Sequence, residues 1–237
     1  MRMATAFAFD VRFQWRHGFY LVYAFVCSIY WILLYFVPDV YREKVMVLLT
    51  FSDPSALGLI LAGGMVLLER DQGIHDPLFV TPIRTREYLL SKAASLSVLS
   101  LLAAWVIHLL SMGMPESPLS FSVGIVLTSS FMTLLSIGVV VRCRTINSFI
   151  LLSQLFAIPF VLPLLGYFNV WQSKLFLLLP TEGTLRMLQS AFTNLMIMDK
   201  FYSLFILLIW NYAVYVWAKQ SYEQHVLMQI GAGGAGK

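Results

Sequence analysis

Charge is what this sequence has least of. Asp, Glu, Lys and Arg make up only 12% of its 237 residues, where roughly 25% is usual in soluble domains. Apolar residues make up 59%, and one core of this size cannot hide that much apolar surface from water. A water-soluble globule is therefore excluded, and lipid is expected as the main solvent. Cysteine is scarce as well. Cys27 and Cys143 fall in or beside different apolar runs, which argues against a disulfide, and no metal-type spacing accompanies them. No metal and no cofactor are expected on this chain. Catalytic groups are missing in the same way. A His-Glu-x-x-His or Glu-Glu pair is absent, and an intramembrane serine hydrolase needs a Ser and a His on facing spans. His108 has no evident partner of that kind, so the chain is expected not to be an enzyme. The net charge of +4 is spread over many loops, which fits membrane topology and not nucleic-acid binding. No cleavable signal peptide is expected, because the first long apolar run is long enough to span and lacks a small-residue cleavage site.

What remains is a series of apolar runs near the roughly 20 residues that a span needs. They are Phe19 to Val37, closed by Pro38; Val45 to Leu68, interrupted by Asp53-Pro54; Tyr88 to Leu110; Phe121 to Val141; Phe149 to Tyr167, with Pro159 and Pro163 inside; and Phe201 to Trp217. Between the last two lies the semi-apolar stretch Asn169 to Asp199. It holds Leu175 to Leu179, then Pro180, then a helical-looking Leu185 to Met198. Its charges and proline predict a short re-entrant or interfacial helix pair instead of a span. The expected fold is an all-α polytopic membrane protein with six transmembrane helices, a cytoplasmic helix in the second loop and a re-entrant or interfacial segment before the last span. One domain covers residues 1–237, with a cytoplasmic amphipathic segment at 1–18, a cytoplasmic loop at 69–88 and a cytoplasmic tail at 219–237.

Lys and Arg set the orientation. With six spans, Arg2, Arg12, Arg16, Arg70, Arg84, Arg86, Lys92, Arg142, Arg144, Lys219 and Lys237 fall on the side of both termini, eleven of the sixteen basic residues. Arg42, Lys44, Lys174, Arg186 and Lys200 fall on the other side. Both termini are expected in the cytoplasm and the protein in the plasma membrane. Tyr20 and Tyr35 flank the first run, and Trp171 and Trp217 lie at later boundaries, where aromatic belts are expected.

Polar residues inside the runs are few. Asp53 is the one acid clearly within an apolar run, and a charge at mid-bilayer costs roughly 2.5–3.5 kcal/mol on insertion scales. Two readings stand side by side. Asp53 faces a substrate path or a cationic group; or Ser52 or Asp53 caps a helix that begins at Pro54, with Val45 to Phe51 at the outer interface. Asn211, midway along the last run, is a second candidate for the path and could bond a neighbouring helix. His108 reads as a satisfied interfacial residue. Ala62, Gly63 and Gly64 form a small-residue patch that suits close helix packing within the chain or a dimer seam. Thr181-Glu182-Gly183-Thr184 reads as a turn.

The most charged stretch is Glu69-Arg70-Asp71-Gln72-Gly73-Ile74-His75-Asp76-Pro77-Leu78-Phe79-Val80-Thr81-Pro82-Ile83-Arg84-Thr85-Arg86-Glu87-Tyr88, leading to Lys92. Ile74, Leu78, Phe79 and Val80 among the charges suit a short helix lying on the membrane face with an apolar strip for a partner. Pro77 and Pro82 would end it. Thr85 is the expected N-cap of the third span, with Glu87 in its first turn. The bland reading is an ordinary charged turn. The positions Glu69, Asp71, Gly73, Leu78, Val80, Thr81, Pro82 and Lys92 resemble the loop after the second span of ABC transporter permeases of the type-two class. The drug-export branch, the fluoroquinolone-export permease subunits, is similar also in Arg12 to Tyr20 and in Phe51-Ser52-Asp53-Pro54. Ile74 stands where that family usually has Thr, and Pro77 arrives early.

The resemblance implies that this loop is a coupling helix docked on a separate ABC ATPase subunit. Glu69, Asp71, Gly73, Leu78, Phe79, Thr81 and Pro82 would then pass ATP-driven closure to the spans. It also implies alternating access, a second permease chain (a homodimer or a sibling subunit) and export of a hydrophobic or amphipathic substrate, a drug or a lipid. The tail Gly231 to Lys237 has Walker A spacing up to its Lys, but a phosphate loop needs a strand before it and a Ser or Thr with a helix after it, and a flexible Gly-rich tail is expected instead. ATP is therefore expected on the partner. The rival reading is an ion- or proton-coupled secondary transporter using Asp53, against which no inverted repeat is visible.

Overall fold

A computed structural model describes residues 2–72 and 84–227. Among them every regular element is helical. Helix α1 spans Arg2–Arg16. Its inward face is Asp10, Phe13 and Gln14, all buried, the i, i+3, i+4 spacing of one helical face. Gly18, at φ 75°, turns the chain from α1 into α2, a left-handed conformation that glycine adopts without a Cβ clash.

Helix α2 (Phe19–Phe36) buries only Phe19, Tyr23 and Leu34. Its remaining apolar face is free for lipid. Pro38 ends it, and α3 runs over Asp39–Asp71, 33 residues, or about 50 Å at 1.5 Å per residue. Here the structure corrects the capping reading. Neither Ser52 nor Asp53 starts a helix; the chain passes through them in helical conformation, and no side chain caps at this point. Pro54 has no N–H to give the Thr50 carbonyl, and its ring crowds that carbonyl. The helix responds by widening into a π-helical turn over Asp53–Leu57 and continues as Gly58–Asp71. A π-bulge relieves the same conflict that a fresh helix start would have relieved.

Helix α4 covers Thr85–Ser111. Thr85 is its first residue and not its N-cap; Arg84 takes the cap position, where its backbone N–H donates to the Glu87 carboxylate at 3.0 Å. Helix α5 (Pro118–Val140) is the central post, packed against α3, α4 and the last two helices. Thr145 caps α6 (Ile146–Val161), its hydroxyl accepting the Ser148 N–H at 3.2 Å. The expected run to Tyr167 is divided at Leu162, and the chain restarts as the short α7 (Pro163–Tyr167), because Pro163 cannot continue the ladder.

A 3-10 turn at Lys174–Leu178 leads into α8, Pro180–Gln189. Pro180 opens α8 from its first position, so Thr181 to Thr184 are helix and not a turn, and the helix stops before Met198. Ten residues reach about 15 Å, too short to span. Thr181, Thr184, Leu185 and Leu188 are nevertheless buried against α3, α5 and α9, as an inserted segment requires. Helix α9 (Ile197–Tyr222) ends in a second π turn at Glu223–Leu227.

Five of these helices, α2 to α5 and α9, are long and apolar enough to cross a membrane, and α6 is a shorter apolar helix. The direction of α9 decides what α6 does. The Asn211 amide donates to the Leu127 carbonyl at 3.0 Å, and Trp217 lies on Gly138, so α9 runs parallel to α5. Helix α5 ends at one end of the bundle and α9 begins at the other. The chain from Ile146 onward must therefore traverse the bundle. Phe149 lies on Gly63, and Phe160 stacks edge-on against Phe131 and Trp210. A Cβ on Gly63 would come within 2.0 Å of the Phe149 ring, so the small-residue patch serves packing within the chain at this position.

Candidate functional site

The charged loop between α3 and α4 is anchored by its two ends. Gly73, Leu78, Phe79, Thr81 and Pro82 lie outside the described residues; Glu69 and Asp71 lie within them. Three successive residues at the end of α3 point three ways. Glu69 is 1% exposed and turns into the bundle. Arg70 reaches sideways, its guanidinium donating to the Cys143 and Arg144 carbonyls at 2.8 and 3.0 Å, which pins α3 to the turn before α6. Asp71 is exposed at the start of the loop.

Glu69 meets Lys92, about two turns into α4. The Lys92 ammonium donates to Glu69 Oε1 at 2.5 Å and to Asp10 Oδ1 at 3.0 Å, and Lys92 is itself 1% exposed. The remaining oxygens are satisfied too. The Tyr88 hydroxyl donates to Glu69 Oε2 at 2.8 Å, and the Ser91 hydroxyl to Asp10 Oδ2 at 2.6 Å. One turn deeper, the Gln14 amide donates to Ser95 Oγ at 2.8 Å. The Lys92 ammonium also lies over the Tyr88 ring, 4.6 Å from its centre, and Tyr88 packs against Tyr222 of α9 at 5.1 Å. Burial pushes the Asp10 carboxyl above the ordinary carboxylate range, against the opposing pull of Lys92 and Ser91.

An ammonium shared by two carboxylates, with hydroxyls on the free lone pairs, meets the condition under which buried charge is tolerated. It also joins four helices. Asp10 brings α1, Glu69 the end of α3, Tyr88, Ser91 and Lys92 the start of α4, and Tyr222 the end of α9. The loop from 70 to 87 is thereby closed at its base. A rigid ion cluster whose four carboxylate oxygens are all hydrogen-bonded passes displacement from one helix to the next without slack.

The sequence pointed to Glu69 and Lys92 but not to their partners Asp10 and Tyr88, nor to Ser91, Gln14 and Tyr222 around them. A signal was present. Asp10 and Gln14 are spaced i, i+4 on a helix whose other residues, Thr5 apart, are apolar or basic, and Ser91 and Ser95 repeat that spacing on α4, as two polar stripes that face each other must.

The other two candidates stand apart from this cluster. Asn211 is committed to the Leu127 and Leu207 carbonyls, the bond to a neighbouring helix that its position suggested. Asp53 is fully buried in the π turn of α3, and neither carboxylate oxygen has a hydrogen-bond partner among the described residues. His108, at the far end of α4, bonds the Gly113 carbonyl through Nδ1 at 2.8 Å and lies against Phe121 and Phe192. Trp217 is a packing residue beyond its place at a boundary, holding the Arg142 guanidinium 4.6 Å over its ring.

Residues 1–230 match the fluoroquinolones export permease protein family. The chain belongs to that family. It is similar to the fluoroquinolones export permease proteins MT2761 and Rv2687c, from two strains of Mycobacterium tuberculosis, at 26% identity over 192 residues, 81% of this chain and 81% of each relative. The resemblance to drug-export ABC permeases carried by the loop is thereby borne out, and the anchored loop is a feature of a multi-pass membrane permease of an exporter family.

Proposed function

We propose that this permease is the membrane subunit of an ATP-driven exporter, and that the segment between α3 and α4 docks on a separate ABC ATPase. The observation that carries the reading is the buried Asp10–Lys92–Glu69 pairing, which grips both ends of that segment. Nucleotide-driven movement of a docked loop would reach α1, α3, α4 and α9 through one connected cluster. The spans would then alternate between inward and outward access, in company with a second permease chain. Both termini are cytoplasmic, the membrane is the plasma membrane, and α6 with α7 makes the sixth crossing. The substrate is hydrophobic or amphipathic; the printed names of the relatives place fluoroquinolones within that class. ATP is bound and hydrolysed by the partner, and this chain needs no cofactor.

The test has two arms. In a variant with Cys27 and Cys143 replaced by Ser, Asp71→Cys is expected to react with an impermeant maleimide only in inverted vesicles. Purification of the native complex is expected to bring down an ATP-hydrolysing subunit. Labelling from the outside of intact cells, or a complex without an ATPase, overturns the reading. The secondary-transporter alternative draws on Asp53 alone; a proton-driven flux without ATPase, abolished by Asp53→Asn, would establish it.

A further inference from the structure

Asp53 has a setting that neither the coupling cluster nor the fold explains. It is 0% exposed, and among the described residues both its oxygens lack a partner. The hydroxyls of Thr50 and Ser55, three positions before it and two after, are buried and unpartnered as well. Its helix is locally widened by the π turn, a distortion found often at functional sites. Across from it stands α2, where Tyr30 bonds Ser52 at 2.9 Å. Cys27 and Tyr23 lie one and two turns back from Tyr30 along the same face of α2, at the i, i−3, i−7 spacing of one helical face.

Those two residues have a second side. Tyr23 and Cys27, with Tyr20 and Trp31 of α2 and Leu102 and Val106 of α4, line an open apolar groove of about 300 Å³. The face of α2 that meets the helix of the buried acid at Tyr30 thus also lines the aromatic groove through Tyr23 and Cys27. Ser52, next to Asp53, is bonded by Tyr30, the twelfth of the eighteen residues of α2, so the acid lies inside the span, about 9 Å from its nearer end at 1.5 Å per residue. A lipid headgroup amine stays at the interface and does not reach that depth. Helix α2 is held by only three buried side chains, so it can yield.

We propose that the groove between α2 and α4 is a binding site for amphipathic cations, with Asp53 as the counter-charge for an ammonium or other lipophilic cation. The aromatic rings and aliphatic walls take the apolar body, and the rings also attract the charge. The carboxylate supplies what an apolar groove cannot, a preference for a positive group over a neutral one of the same shape. The inference rests on the exporter reading for the purpose of such a site, but not for the existence of the site. It names the substrate class that reading leaves open.

Binding of tetraphenylphosphonium to the purified permease in a nonionic detergent tests it, with neutral triphenylphosphine oxide as the control. Wild type is expected to prefer the cation, and Asp53→Asn to lose roughly thirtyfold or more of its affinity for the cation alone. Asp53→Glu is expected to retain most of it, which separates loss of charge from loss of fold. In a Cys143→Ser background, tetraphenylphosphonium is expected to protect Cys27 from a lipid-soluble maleimide. Equal affinity of wild type and Asp53→Asn for the cation overturns the proposal, as does unprotected Cys27 at saturating cation. The measurement needs no ATPase. A permease that binds the cation through Asp53 but has no ATPase partner would keep this site and end the exporter reading, and the converse result would do the opposite.

Discussion

Two buried acids ride on the same helix and could hardly be treated more differently. Glu69, at the loop end of α3, has an ammonium and a phenol on its two oxygens. Asp53, in the π turn, has nothing on either among the described residues. A satisfied buried charge holds its neighbours in one arrangement; an unsatisfied one costs stability unless it meets a partner later. The difference assigns the two regions different work. The loop end of the bundle is built to transmit motion as a unit, and the middle of α3 is built to receive a charge.

The comparison is broken most severely by Lys92→Met. It leaves two carboxylates buried together without a cation, which is expected to cost about 3–5 kcal/mol and to appear as a large drop in thermal unfolding temperature in detergent. Tyr88→Phe strips one bond from Glu69 Oε2 and should cost about 1.5–3 kcal/mol in the same assay, the range for hydrogen bonds to charged groups. Gly63→Ala tests packing without charge. Its methyl collides with the Phe149 ring, and overpacking of that kind costs about 1–3 kcal/mol; Phe149→Leu in the same chain is expected to restore part of the loss. Asp53→Asn should have the smallest effect, within about 0.5 kcal/mol of wild type or on the stable side of it, because it removes a charge that has no partner to lose. A destabilisation by Asp53→Asn as large as that of Tyr88→Phe would erase the contrast.

Most of the membrane architecture was legible because its signal is local. Apolar runs, Pro38 and the scarcity of charge locate α2, α4, α5 and α9 to within a few residues of where they lie. The π turn was not legible. Ser52-Asp53-Pro54 carries the residue types of a helix start, and only the continuation of helix on both sides tells a bulge from a beginning. For α8 the sign was in plain view, Pro180 at the first helical position, but the polar residues after it read as a turn until packing against α3, α5 and α9 buried them. The ionic cluster was half legible. Glu69 and Lys92 stood out through the loop's resemblance to the permease family, but Asp10 is 82 positions from Lys92, and nothing in a single sequence pairs residues so far apart.

The central claim, that the Asp10–Lys92–Glu69 cluster links the loop to the spans, is tested most directly by ATP hydrolysis of the purified complex with and without an amphipathic substrate. In Glu69→Gln, which keeps the shape of the side chain and removes its charge, the ratio of stimulated to unstimulated hydrolysis should fall toward one in a complex that remains folded and assembled. A ratio that stays at the wild-type value would contradict the account.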